Sequence, residues 1–295
     1  MKTRKLLLWG LLLLLFACGS NNPYQPEIPE EELPGFGSLE TLEVMTWNLE
    51  NFAKNDEITV QYVSAILDSL DVDIIALQEI ENPTKFSQLH NALPEWEGYL
   101  SAGAAYDINL AFLYRQNLEA EFYQILTDDW YAFPRSPLVM EVSVDGYDLM
   151  IINNHFKAGG DSDDIERRRE ANQQLKLFLD ENYPSTALIV LGDLNDQLTD
   201  APQQNVFTLF LEDQENYLFA DYQLEVAGVE NFSYPSWPSH LDHVMISDEL
   251  FGPFSHAKSD VQTLAVDEYF DSWNDYETNV SDHLPVAVKL YLLED

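Results

Sequence analysis

The sequence predicts an α/β domain. From Glu43 onward, apolar runs of strand length alternate with polar segments of helical spacing, and no internal repeat or second linker interrupts them. Hydrophobic residues make up 46% of the 295-residue chain and aromatics 13%, enough for a sizeable core. Val44 to Asn48 reads as the first strand, and Val63, Ile66, Leu67 and Leu70 then recur on one face of a helix. Val72 to Gln78 is a short buried strand ending at Glu79. Leu110 to Tyr114, Leu149 to Asn153 and Ala187 to Leu191 repeat that form. Asp164 to Asn182 predicts a long helix with Leu175, Phe178 and Leu179 facing inward. Near the C-terminus Val286, Val288, Leu290 and Leu292 alternate with Ala287, Lys289 and Tyr291, as in a half-exposed strand. Polar residues therefore cluster where strands stop, and side chains at strand ends can converge on one rim of a sheet.

The N-terminus has a different character. Met1 to Lys5 is basic, Leu6 to Phe16 is almost purely apolar and too short to span a bilayer, and Ala17 is a small residue at a cleavable position. Leu15, Phe16, Ala17 and Cys18 resemble a bacterial lipobox, so residues 1–17 read as a lipoprotein signal peptide. Cys18 reads as the lipid attachment site, with export and anchoring to a bacterial membrane as the consequence. Cys18 is also the only cysteine, which excludes an internal disulfide. Residues 18–40 hold few apolar side chains and read as an acidic flexible tether, leaving 41–295 as the catalytic domain.

Charge restricts the substrate. The chain carries 52 acidic and 14 basic residues, a net charge of −38. Removing residues 1–17, which hold three of the basic residues and none of the acids, leaves −41. Such a surface repels long polyanions, whose binding normally rests on phosphate neutralisation, unless local cations or a bound metal offset the repulsion at one site.

Candidate chemistry sits at the predicted strand ends: Asn48 and Glu50 in TWNLEN, Glu79 in LQEIEN, His155 in INNHFK, Asp193 and Asn195 in LGDLND, and Asp282 and His283 in SDHLPV. Asp242 and His243 in HLDHVMIS complete the set. Each alone has an ordinary structural explanation: a turn, a solvated acid or a packed histidine. Their joint order over about residues 41–292 resembles the endonuclease/exonuclease/phosphatase superfamily, with SDHLPV and GDLND the most specific pieces.

The resemblance implies a four-layer sandwich, in which two mixed, mostly antiparallel β-sheets are flanked by helices and the site lies at one end. It implies that Asn48, Glu79 and Asp282 hold Mg²⁺ or Mn²⁺, which hard oxygen ligands suit better than zinc. Asp193 would orient or deprotonate the attacking water, and Asn195 would hold water or a phosphate oxygen through its amide. His283 would either donate to the phosphate or act as base, with Asp242 fixing its tautomer. His155 is similar to a catalytic histidine of the pancreatic-type deoxyribonuclease branch, which abasic-site endonucleases lack. Asn154 and Lys157 beside it are competent to bind phosphate.

Other residues read less sharply. Glu50 is either a second metal-site acid or an exposed strand-end acid. Arg115 either approaches phosphate or caps a strand, and His243 is a possible supporting contact. Arg167, Arg168 and Arg169 diverge around a helix and read as a solvated cluster paired with Glu166 and Glu170. His90, His240 and His256 read as surface or loop residues, Tyr234 and Trp237 as core in preference to a substrate wall, and Asp161, Asp163 and Asp164 as a solvated acidic loop in preference to a Ca²⁺ site. Asp193, Asn195 and Gln197 mimic an EF-hand, but Leu198 replaces its glycine and Gln204 its glutamate, so that reading is rejected.

The function expected is metal-dependent hydrolysis of phosphate esters, foremost as a nuclease-type phosphodiesterase acting on nucleic acid or nucleotides. The alternatives are a phosphomonoesterase or phospholipid phosphodiesterase acting on a sugar phosphate or phospholipid, and an inactive surface lipoprotein. Against the inositol-phosphatase branch, YPSWPSHLDH lacks the cysteine and arginine found there. The lipid on Cys18 implies a membrane as partner; no obligate protein partner is inferred.

Overall fold

The computed structural model describes residues 35–104 and 107–293; the leader, Cys18 and most of the expected tether lie outside the described residues. The first half runs β1 (Leu42–Phe52), α1 (Asp56–Leu70), β2 (Ile74–Ile80), α2 (Pro83–Ala92), β3 (Trp96–Leu100) and β4 (Asn109–Arg115). The next elements are β5 (Ala120–Gln124), β6 (Leu138–Val144), β7 (Tyr147–His155), α3 (Ser162–Asn182) and β8 (Ala187–Asp193). They are followed by α4 (Thr208–Leu211), β9 (Tyr217–Phe219), α5 (Tyr222–Ala227) and β10 (Asp242–Ser247). The chain closes with α6 (Phe251–Ser255), β11 (Asp260–Thr263), α7 (Trp273–Asn279) and β12 (Val286–Leu290).

These strands form two six-stranded sheets, ordered β11-β12-β1-β2-β4-β3 and β5-β6-β7-β8-β10-β9. Within each sheet one central pair is parallel, β1 with β2 and β7 with β8, and the remaining pairs are antiparallel. The sheets pack face to face over Val44, Ile74, Phe112, Met140, Ile151, Ile189, Leu191 and Val288. Outside them, α1 and α2 cover the first sheet and α3 the second. The expected four-layer architecture is therefore present.

Strand alternation explains which residues enter which layer. In β1, Val44 joins the inter-sheet core while Met45 and Trp47 pack outward beneath the helices. Thr46 faces inward and bonds Gln78 of β2, and the Gln78 amide then reaches Asn153 Oδ1 of β7 at 2.8 Å. Asn153 returns two hydrogen bonds, to the carbonyls of Leu77 and Ala111 at 3.0 Å each. This fully paired amide layer pins one sheet to the other directly beneath the strand ends.

Two expectations change. On the outer face of β12 Ala287 is as inaccessible as Val286, packed in the helix-covered core of the first sheet, while Lys289 and Tyr291 are half-buried as an alternating strand predicts. Packing also begins ahead of residue 41: Phe36 is buried against the outer core of the first sheet, and its N–H donates to Leu70 O at 2.9 Å.

Replacing Asn153 with Leu would remove the Gln78 link between the sheets and take the side-chain donor from two strand carbonyls in a dry interior. Each unpaired buried group costs about 1–3 kcal/mol, so Asn153→Leu should lower unfolding free energy by at least about 2 kcal/mol in urea titrations. Unchanged stability would mean that the amide layer does not hold the sheets together.

Candidate active site

The paired topology brings the polar strand ends together. The parallel strands β1, β2, β7 and β8 all finish at one end of the sandwich, placing Asn48, Glu79, His155 and Asp193 there. β10 starts at that end, with Asp242 opposite Asp193 in antiparallel register. The segment leading into β12 is tied to β1, since Ser281 Oγ donates to Asn48 O at 2.7 Å and Trp47 Nε1 to His283 O at 3.2 Å. Asp282 and His283 are thereby fixed over the same rim.

Asn48 sits between two acids, its amide nitrogen donating to Asp193 Oδ2 at 2.9 Å and to Glu79 Oε1 at 3.2 Å. Its carbonyl oxygen accepts the Glu50 N–H at 2.9 Å. Glu79 has a φ of +60°, and its second oxygen accepts the Asn51 N–H at 2.9 Å. Gly192 explains the glycine of GDLND: its φ is +141°, and a Cβ there would lie 1.9 Å from the Asn154 carbonyl oxygen.

His283 Nδ1 meets Asp242 Oδ2 at 2.7 Å, both groups being buried. Burial alone would lower the imidazole pKa, but Asp242, with Asp193 and Asp282 behind it, raises it to about 10. His283 is therefore an imidazolium at neutral pH. Asp193 moves the other way for an acid: burial lifts its pKa to about 7, His283 and Asn48 partly opposing while Asp242 and Glu79 add repulsion. Burial likewise raises Asp282 to about 6, and its Oδ1 is buried without a hydrogen-bond partner among the described residues, with His283 Nε2 3.8 Å away.

His155 is buried, and desolvation, assisted by Arg135 and His283, holds its pKa well below the ordinary value. Its Nε2 accepts from Arg135 Nη2 at 3.3 Å and lies 3.4 Å from Asp193 Oδ2. The ring is neutral, so that approach to Asp193 is proximity and not an ion pair. Arg135 escaped the sequence reading; its signal was an arginine between Pro134 and Pro137, just ahead of a strand, in a chain with few cations. Burial of this guanidinium is offset by Asp193 and Glu79.

These residues open on a cleft of about 540 Å³ lined by Glu79, His155, Asp193, Asn195, Asp282 and His283. Tyr234 and Trp237, expected in the core, form its wall instead. Tyr234 packs on the His283 ring at 4.8 Å between centroids, and Trp237 is 77% exposed because the Tyr234–Ser239 bridge turns it outward. Arg168 also reaches the cleft and is not solvated: its Nε donates to Asp196 Oδ2 at 2.9 Å. By contrast, Arg169 pairs with Glu166 at the surface as expected.

Four expected candidates stand elsewhere. Arg115 ends β4, which runs antiparallel to β2, so it lies at the far end of the sheet with Asp71, Glu95 and the Val72 carbonyl. Asn154 follows Asn153 by one residue and therefore points to the opposite face, donating to Ile152 O. Lys157 pairs with Asp164 at 2.7 Å, while Asp161 caps α3 through the Asp163 and Asp164 N–H groups. His243 faces away from the cleft. Glu50 supports it from outside, accepting the Asp282 N–H at 3.0 Å and pairing with Lys54.

His240 is fully buried and not on the surface. With Asp221 and His243 it forms a compact donor cluster whose atoms lie within 4.8 Å. Hydrogen bonds already occupy those atoms. His240 Nδ1 accepts the Ser233 N–H at 3.2 Å, so its Nε2 carries the hydrogen directed at Asp221 Oδ2, 3.1 Å away. His243 lies between Asp221 Oδ2 at 2.6 Å and Asp196 O at 2.9 Å, two acceptors that require both ring nitrogens to be protonated. Burial opposes that charge, but Asp221 raises His243 to about 9. The cluster is thus satisfied as an ionic hydrogen-bond network. A hard divalent cation fits the cleft better, where Asp282 Oδ1, which accepts no hydrogen bond, and the Glu79 and Asp193 carboxylates converge.

An acid positioned to take a proton, beside cations positioned to bind an anion, equips this cleft for hydrolysis of anionic esters. The profile of the Endonuclease/Exonuclease/phosphatase family matches residues 45–283, and the chain belongs to that family of phosphoester hydrolases, whose members are generally divalent-metal dependent. No curated protein sequence matches significantly. Among solved structures the chain is similar to D. rerio TDP2 complexed with single-strand DNA product (TM-score 0.64, 15% identity, covering 85% of this chain and 98% of that one). It is also similar to the human Nocturnin catalytic domain with bound sulfate (0.58, 18%, 85% and 94%). A mannosyl-6-phosphatase of Bacteroides thetaiotaomicron matches comparably (0.59, 17%, 84% and 99%).

Proposed function

We propose that this protein is a Mg²⁺- or Mn²⁺-dependent phosphodiesterase of nuclease type, acting on short or small substrates. The observation that carries this reading is the opposed setting of Asp193 and His283 across one cleft. Burial makes Asp193 a stronger base than an ordinary carboxylate, while Asp242 keeps His283 protonated. In this reading Asp193 takes the proton from the attacking water as its oxygen bonds to phosphorus, and the Asn195 amide orients that water. His283 and Arg135 donate to the phosphoryl oxygens and stabilise charge developing there. Neutral His155, held by Arg135, lies beside Asp193 without neutralising it. Glu79 and Asp282, with Asn48 aligning the acids, would hold the cation, which when bound neutralises the phosphoryl group and departing oxygen.

Charge supports a small substrate. The surface is strongly acidic, whereas Arg168 and His283 line the cleft and Arg135 lies behind it on His155, so an anion gains attraction only on entering it. The same observation keeps a phosphomonoesterase reading in view, and the similarity to a mannosyl-6-phosphatase favours it as the second choice. Exposed Trp237 offers a ring face at the cleft wall for either a base or a sugar.

Turnover of an aryl phosphodiester should rise with pH as Asp193 loses its proton and fall as His283 loses its own near pH 10. Asp242→Asn should move the alkaline limb down, and His283→Ala should lower kcat by about 10²–10⁴-fold with the fold retained. A near-wild-type rate in His283→Ala would remove that residue from the mechanism. Rates on oligonucleotides, plasmid DNA, sphingomyelin and nucleotide and sugar monoesters under one metal condition should rank short diesters first; a monoester ranking first would favour the second reading.

We further propose that the protein is exported and held on a bacterial membrane by a lipid on Cys18. The leader and lipobox-like Leu15–Cys18 segment support this. Cys18→Ser should shift the protein from the membrane to the soluble fraction, and unchanged fractionation would defeat the anchor.

A further inference from the structure

The turn that presents Asp193 and Asn195 is gripped from behind. Asn195 has a φ of +56°, a left-handed conformation that asparagine enters more readily than other residues with a side chain. Its N–H donates to Asp193 Oδ1 at 3.0 Å and its amide to Phe156 O at 3.3 Å, so the pair is set by the path of the backbone here. Asp196, the next residue, is where that path is anchored. His243 Nε2 of β10 donates to its carbonyl at 2.9 Å, and Arg168 Nε of α3 donates to its carboxylate at 2.9 Å. Arg168 Nη1 also takes the carbonyls of Lys157 and Gly159, at 2.7 and 2.8 Å, in the loop after His155. Behind His243, buried Asp221 balances its charge and accepts the Val244 N–H at 2.8 Å.

We propose that Asp196 is a positioning residue for hydrolysis: Arg168 and His243 grip it from two elements, and through it they fix the aim of Asp193 and Asn195. This rests on the roles given above to Asp193 and Asn195. The aspartate–histidine cluster beside it is accordingly the buried end of this clamp and not a metal centre. A displacement of about 1 Å at a reacting group costs about 100-fold in rate, so loosening the turn should lower kcat and leave substrate affinity nearly intact.

The test uses the purified protein with Mg²⁺ and an aryl phosphodiester, at a temperature where melting curves show every variant folded. Arg168→Met, His243→Phe and Asp196→Ala should each lower kcat about 10- to 100-fold with KM within about two-fold. Because both grips act through Asp196, Arg168→Met combined with His243→Phe should be no slower than the worse single variant. Arg168→Lys and His243→Gln, which keep a donor, should recover to within about five-fold of wild type. Independently of turnover, NMR-detected hydrogen exchange at the Asn195 N–H should speed up at least about ten-fold in Arg168→Met and Asp196→Ala, as expected when local opening becomes easier.

If His243→Phe fails to fold because it strands Asp221, Arg168→Met and Asp196→Ala carry the test. Unchanged Asn195 exchange with wild-type kcat in those two variants would overturn the clamp. Multiplicative losses in the double variant would overturn its shared route. One equivalent of zinc surviving chelation of the wild type and lost in His240→Ala would overturn the ionic reading of the cluster. An Asp193→Asn variant that retained full rate would instead sink the proposed function, and the exchange measurement would still judge the clamp.

Discussion

Crowding of carboxylates in one buried cleft is the constraint on which the rest of the site depends. Glu79, Asp193 and Asp282 face the same space, with Asp242 behind them, and burial adds its own penalty to their mutual repulsion. Without compensation, such a group would hold protons and lose its use as base or ligand. The structure supplies part of the compensation through Arg135 and His283, and through the Asn48 amide shared by Glu79 and Asp193. The remaining excess of negative charge is what a divalent cation would offset.

Topology makes that crowding unavoidable. Each sheet contains one parallel pair, so four strands end on the same side, and the neighbouring antiparallel strands begin there. The Thr46–Gln78–Asn153 layer immediately below keeps the sheets in register, and Gly192 lets the β8 terminus approach Asn154 closely. Glu79, His155, Asp193 and Asp242 are held at strand ends by sheet packing, and Asp282 and His283 by hydrogen bonds that tie their segment to β1 and Glu50. On the function proposed, cations at the cleft in an otherwise acidic protein would favour a small anion over a long one.

Much of this was legible in the sequence because period and order carry the information. Apolar runs gave the strands, and the motifs at their ends gave Asn48, Glu79, His155, Asp193, Asn195, Asp242, Asp282 and His283, which the structure brings to one end. Arg115 and Asn154 went astray for geometric reasons: strand direction puts one at the far end, and alternation turns the other to the opposite face. His240 read as a surface or loop residue and Asp221 was passed over, because their pairing joins segments with no shared motif. Tyr234 and Trp237 looked like core because residue type does not reveal that a short bridged loop turns a ring outward. Arg135 was passed over because its importance comes from burial beside His155, which composition cannot report.

The account stands or falls on whether the acids of the cleft take up a cation. Calorimetric titration of Mn²⁺ into chelator-treated protein near pH 6.5, in buffers of differing ionisation heat, measures this directly. Binding should release protons as Asp193 and Asp282 ionise, and Glu79→Gln should weaken it by about 10- to 100-fold. Equal affinity in wild type and Glu79→Gln, or binding without proton release, would contradict it.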